Sequence, residues 1–405
     1  MSTHRFGIYP SWVIVLAGVC AALHVGKLPP ALPVLQEALG ITLVQAGFLL
    51  SAVQVASMTL GLAVGLSADS LGLRRSMLVG LSLLSFASIS GGFVAHASGL
   101  LFLRALEGLG FLLVVMPAPA LIRRTVDASQ LSGRMGWWGT YMPTGSALAL
   151  LLGPWVIAGL NWSAWWWLLG AVAALAGVAV WLCVPDVPPP APAQNAGNDG
   201  WPQRLKLTLQ SPGPWLVALT FAVYSSQWLA VVGFLPTVYA ELGLAAGTAG
   251  VLSACVALAN VSGNILSGRL LQRGWPPKRL LSIGFACMAL GAVGAYAAWQ
   301  GEGLPTALRF ACVVMFSAVG GLIPGTLFSC ALRLAPSEGT VSTTVGSMQQ
   351  LSALGQFAGP PLVAWVAASV GGWQWTWAVT ATLSLAGAVL AHFIGRALHK
   401  KENHD

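Results

Sequence analysis

Apolar residues run without interruption over twelve stretches of this chain, cut by charged residues or by Pro, Gly and Asn punctuation. The stretches lie near residues 11–35, 43–67, 76–95, 99–121, 134–158 and 163–184, then 214–239, 247–270, 279–299, 306–332, 341–368 and 375–397. A helix needs about 20 apolar residues to cross the hydrocarbon core, so each stretch predicts one membrane span. The one long polar interruption runs from Pro185 to Gln210, with Pro188, Pro189, Pro190, Asn195, Asn198 and Asp199, and it divides the chain almost in half. The pattern predicts an all-α integral membrane protein of 12 transmembrane helices. Its domains would be an N-terminal six-helix bundle over 1–184, a cytoplasmic linker over 185–212 and a C-terminal six-helix bundle with a short cytoplasmic tail over 213–405. The run Trp12 to Val25 has the look of a signal sequence, but apolar sequence continues past Lys27, Pro29 and Pro30 to Leu35, which predicts a retained first span.

The halves carry common landmarks. Leu32-Pro33 with Leu39-Gly40 recurs as Leu235-Pro236 with Leu242-Gly243, 203 residues on, and Ala46-Gly47 recurs at the same spacing as Ala249-Gly250. Gly65 and Gly268 keep that spacing, while Gly153-Pro154 and Gly359-Pro360 recur 206 residues apart. Both halves open their last span on tryptophans, Trp162, Trp165 and Trp166 against Trp373, Trp375 and Trp377. Several landmarks in one register predict a duplicated six-helix unit.

Composition narrows the class. Only 7% of residues are charged, against roughly 25% in soluble domains, and 56% are hydrophobic; an ordinary soluble enzyme is excluded. The net charge of +8 reports orientation, since a cytoplasmic N-terminus places 16 of the 19 basic residues on the inner side and leaves only Lys27, Arg104 and Arg309 elsewhere. No basic cluster with interleaved aromatics points to nucleic acid. Cys20, Cys183, Cys255, Cys287, Cys312 and Cys330 are scattered singly, without a CxxC or a metal-spaced His, so no metal or cofactor is expected.

The loop after the second span reads Gly65-Leu66-Ser67-Ala68-Asp69-Ser70-Leu71-Gly72-Leu73-Arg74-Arg75. Gly65 permits close helix approach, Asp69 can meet a helix N-terminus or Arg74, and Gly72 supplies a turn. This loop resembles the major facilitator signature G-x-x-x-D-R-x-G-R-K/R, with Ser70 and Leu73 in place of two basic residues. Two parallel repeats of six spans are also that superfamily's organisation. The resemblance implies the major facilitator fold, alternating access of two bundles around a midplane site, and gating roles for Gly65, Asp69, Gly72 and Arg74; a merely topogenic basic loop is the simpler alternative. The Gly-Pro sites resemble the fifth-span signature of family exporters, with Ala149, Ile157 and Ala158 departing from it. Gly153, Pro154, Gly359 and Pro360 are read as hinge and close-packing sites. The Lys-Pro-Pro first span and the Gln/Gly-Pro eleventh span resemble the cyanate-permease-like group of bacterial anion carriers.

Few polar residues lie deep in the spans. Lys27 sits in His24-Val25-Gly26-Lys27-Leu28-Pro29-Pro30 with no acid within a turn, and a cation there is costly unless it meets water, a carboxylate or an anionic ligand. The two prolines break the helix where transporters bind substrate, so Lys27 is expected to attract an anionic group, with His24 as a second donor or proton site; snorkelling, or pairing with Glu107, is the alternative. Arg104 and Glu107 lie at i and i+3 in a segment similar to the superfamily's R-x-x-Q/E-G motif. They are expected to line the cavity, with Glu107 as proton carrier, or else to form a permanent ion pair. From the second half come Tyr224, Gln227, Asn260, Asn264, Gln349 and Gln350, costly in lipid and useful in a wet cavity, although helix-to-helix hydrogen bonding accounts for any one of them. Trp137, Trp138 and Tyr141 are expected to form an aromatic wall.

The expectation is a secondary active transporter of a small anionic solute, coupled to protons, monomeric, and set in lipid in the bacterial inner membrane with both termini cytoplasmic. The rival is a proton-coupled exporter of drugs or other amphipathic compounds. No Walker loop supports ATP use, no cluster of nucleophile and base supports an enzyme, and the tails are too short for a sensor's signalling domain.

Overall fold

In a computed structural model, residues 10–62, 72–186, 201–299 and 302–402 are described. Among them, eleven helices are long and apolar enough to span a membrane: Pro10–Leu39, Leu43–Leu62, Ala97–Thr125, Tyr141–Gly159, Trp162–Cys183, Pro212–Glu241, Ala246–Gln272, Pro277–Tyr296, Thr306–Leu334, Glu338–Val370 and Trp373–Lys401. Leu73–Gly91, 19 residues long, stands between the second and third of these. It opens on Arg74 and Arg75 and carries several serines, which dilute its apolar character. With it the described residues hold the twelve spans expected from the sequence, numbered here one to twelve in chain order.

Two differences from the expected spans have local causes. The run near 134–158 is two helices, Ala128–Trp138 and then span five from Tyr141, separated by a turn at Gly139 and Thr140. The polar stretch after Pro185 holds a ten-residue helix, Trp201–Gln210, whose Thr208 is buried and donates to the Arg204 carbonyl. A two-residue antiparallel pair, Ala298–Trp299 with Glu302–Gly303, forms the only strands among the described residues.

The chain divides into two compact units. The first comprises Met1–Ile41, Ala52–Ala196 and Tyr239–Ala254; the second comprises Thr42–Ser51, Gly197–Val238 and Cys255–Asp405. In the first, the apolar core joins Ile14, Met77, Leu81, Val114 and Ile122 from spans one, three and four with Ala173 of span six.

Small residues set the helix crossings. A Cβ on Gly145 would lie 2.6 Å from the Val19 carbonyl, and one on Gly26 2.7 Å from the Ser146 backbone, so spans one and five touch backbone to backbone. In the second unit Gly355 and Gly359 stand likewise against the Ala222 and Ser226 carbonyls, each 2.2 Å from such a Cβ, and bring together spans seven and eleven. The repeated landmarks meet one another: Gly250 packs on Pro154 within the first unit, and Gly47 on Pro360 and Pro361 within the second. The repeated Leu-Gly pair ends a helix each time, with Gly40 at φ 62° and Gly243 at φ 76°, a left-handed conformation that glycine adopts without strain.

Candidate functional site

Span one is a single apolar run that its own prolines prevent from being a single helix. Pro29 and Pro30 lack an N–H, so the carbonyls of Val25 and Gly26 lose their donors four residues on. The helix Pro10–Gly26 ends there, Pro29–Ala31 makes one tight 3-10 turn, and Leu32–Leu39 resumes. The Ala31 and Leu32 amides both donate to the Leu28 carbonyl, at 2.9 and 3.0 Å. The Lys27 carbonyl instead accepts from Trp165 Nε1 of span six at 3.0 Å, and the His24 carbonyl from Arg104 Nη1 of span four at 2.6 Å. Side chains of other spans thus satisfy two acceptors at the break.

The charged side chains gather at this point. Lys27 Nζ donates to Glu107 Oε1 and, at 2.9 Å, to Ser88 Oγ of span three, and it lies 4.6 Å from the ring centroid of Trp166. Ser88 passes the chain on by donating to the Trp166 carbonyl at 2.7 Å. Arg104 Nη1 donates to the other carboxylate oxygen, Glu107 Oε2, at 2.6 Å, as their i, i+3 spacing allows. His24 Nδ1 stands 3.7 Å from Glu107 Oε1, and neither of its ring nitrogens makes a hydrogen bond among the described residues. All four side chains are at most 1% exposed. Lys27 is therefore a paired cation, not a lone one; its acid comes from span four, 80 residues away.

Lys27 and Arg104 thus share one carboxylate, each taking a different oxygen. The C-terminal end of the helix Pro10–Gly26 lies at the same place, and its partial negative charge favours cations there. The arrangement lets Lys27, Ser88, Glu107 and Arg104 exchange hydrogen bonds among themselves.

The second unit's candidates form a neutral network. Asn260 Nδ2 donates to Tyr224 Oη and to the Ser317 carbonyl, both at 2.9 Å, Asn264 Nδ2 donates to Asn260 Oδ1 at 3.0 Å, and Trp228 Nε1 donates to Ser317 Oγ at 3.1 Å. Gln227 stands apart from it, accepting from Ser384 Oγ at 3.0 Å through its own Oε1. Gln349 is exposed on span eleven and Gln350 half-buried. Tyr141 lies outside the charged cluster, stacked on Trp138 at 4.4 Å, whereas Trp137 is 57% exposed and meets Trp12 edge-on. Of the loop residues, Gly65 and Asp69 lie outside the described residues. Gly72 precedes span three at φ 82°, and Arg74 donates to the Trp181 carbonyl. Gly153 packs on Pro30, which ties span five to the break in span one.

Sequence reasoning missed Ser88, Trp165 and Trp166 as partners of Lys27. The paired tryptophans opening span six, noted only as a repeat landmark, were the available signal; Ser88 is one serine among several in span three.

A family model described as Major Facilitator Superfamily matches residues 14–354. The chain belongs to this superfamily. Among curated proteins of the superfamily's kind, the cyanate transport protein CynX of Escherichia coli (strain K12) is 25% identical over 344 residues, 83% of each chain. The fold matches a bacterial homolog of the human lysosomal transporter Spinster in its inward-facing occupied conformation, with a TM-score of 0.78, 14% identity, and 99% of both chains covered. A D-xylose-proton symporter matches with a TM-score of 0.72 and 15% identity over 94% of this chain and 96% of its own. The major facilitator fold expected from the Asp69 loop and the repeat is thus the fold of this chain, a multi-pass membrane transporter.

Proposed function

We propose that this major facilitator protein carries a small organic or inorganic anion across the membrane by alternating access, coupled to protons. The observation that carries the reading is a fully buried lysine, Lys27, at the proline break of span one, which shares the Glu107 carboxylate with Arg104. A buried charge is costly until it is paired, and an anion at the break could take over Lys27 from Glu107 without leaving the ammonium unpaired. The similarity to CynX points the same way and makes cyanate the first solute to try. We assign the proton to Glu107, the one carboxylate of the cluster, with His24, 3.7 Å away, as its relay. Tyr224, Gln227, Asn260 and Asn264 are the polar groups we assign to the second half of the path, with Gly153, Pro154, Gly359 and Pro360 as packing sites that change as the spans move. Both termini are placed in the cytoplasm on the distribution of basic residues.

Thermal unfolding of the purified protein in the presence of small anions, and separately of organic cations, tests the reading. Stabilisation by one or more anions, lost in Lys27→Met, supports it. Stabilisation by cations alone would favour a proton-coupled exporter of amphipathic compounds.

A further inference from the structure

Spans three and six leave a groove of about 420 Å³ on the first unit, away from the charged cluster. Leu78, Ser82 and Phe86 form one wall, and Gly177, Val178 and Trp181 the other. The spacings are those of one helix face on each side, and Phe86, Val178 and Trp181 are exposed. Gly177 keeps the groove open: a Cβ there would come no closer than 3.7 Å, to Leu81.

One end of the groove is marked. Arg74 lies one turn before Leu78 and donates to the carbonyl of Trp181, while its Nε is buried without a hydrogen-bond partner. Arg75, three residues before Leu78 and seven before Ser82, shares that face and is exposed. No carboxylate is ion-paired with either arginine among the described residues. Trp181, 62% exposed beside them, is the residue type that settles at the headgroup level of a bilayer. From Leu78 to Phe86 the wall rises about 12 Å at 1.5 Å per residue, close to the roughly 15 Å of hydrocarbon in one leaflet.

We propose that this groove holds one phospholipid with an anionic headgroup, its acyl chain between spans three and six and its phosphate against Arg74 and Arg75. The apolar walls recognise the chain, and the two guanidinium groups select the charge of the headgroup.

Native mass spectrometry of the full-length protein, titrated with phosphatidylglycerol and with phosphatidylcholine of the same acyl chains, tests it. The wild type is expected to retain one phosphatidylglycerol more strongly than phosphatidylcholine, by roughly fivefold for each arginine engaged. Arg75→Gln should cut that preference while leaving phosphatidylcholine retention unchanged. Gly177→Leu, which fills the groove, should weaken retention of both lipids. Should Gly177→Leu fail to fold, Gly177→Ala, whose added methyl meets only ordinary contacts, takes its place with a smaller loss in the same direction. Equal retention of the two lipids by the wild type, or a preference untouched by Arg75→Gln, would overturn the proposal.

Discussion

Glu107 is shared between two cations, and Lys27, Arg104 and Glu107 are therefore not equivalent to mutation. Glu107→Gln removes the carboxylate that both cations share, which should cost about 3–5 kcal/mol of stability, the range for breaking a buried ion pair. Lys27→Met keeps the length of the side chain and leaves the Arg104–Glu107 pair intact, so its cost should be clearly smaller. Thermal unfolding of the two variants in one detergent checks the order; an equal loss, or a larger one for Lys27→Met, would contradict the shared-carboxylate geometry. At this scale the sequence was partly legible. Lys27, His24, Arg104 and Glu107 stood out because charge within a span is rare, and the Arg104–Glu107 pair followed from helical spacing. The Lys27–Glu107 contact joins residues 80 positions apart, and only the packing of span one on span four brings them together.

At the scale of the helix, span one is the informative element. Its break was readable from Pro29 and Pro30, but the groups that satisfy the break, Arg104 on the His24 carbonyl and Trp165 on the Lys27 carbonyl, come from distant spans. Close crossings give a second prediction. A Cβ on Gly108 would lie 2.2 Å from the Val53 carbonyl, a backbone atom that cannot move aside, whereas nothing stands within 4 Å of one on Gly268. Gly108→Ala should destabilise by about 1–3 kcal/mol through overpacking, and Gly268→Ala should be neutral or stabilise by up to about 1 kcal/mol through helix propensity. Thermal midpoints measured side by side separate the two outcomes. The helices Ala128–Trp138 and Trp201–Gln210 escaped the reading for different reasons. A Gly-Thr turn inside an apolar stretch hid the end of the first, and the polar composition of the second concealed it within what reads as linker.

At the scale of the whole molecule, the duplicated landmarks are where sequence and structure agree most closely. Ala46-Gly47 and Gly359-Pro360, like Ala249-Gly250 and Gly153-Pro154, are separate motifs in the chain, yet within each compact unit the glycine of one packs on the proline of the other. Their spacings recorded a duplication; the contacts supply its physical reason, since a glycine beside a proline lets two spans touch where no side chain fits. Chemistry did not duplicate with the frame. Gln227 stands where the repeat places His24, and among the described residues Tyr224, Asn260 and Asn264 form a neutral network in place of a charged one. A carrier whose charge lies in one unit should be more sensitive there: Asn260→Ala should weaken transport less than Lys27→Met does, measured as initial uptake rate at equal surface expression. Uptake itself tests the central claim most directly. In proteoliposomes holding the purified protein, an inward proton gradient should drive accumulation of at least one small anion, with cyanate tried first; the accumulation should vanish when the gradient is collapsed and be absent in Lys27→Met. Proton-driven movement of cationic or amphipathic compounds alone, or anion uptake by Lys27→Met equal to that of the wild type, would contradict the account.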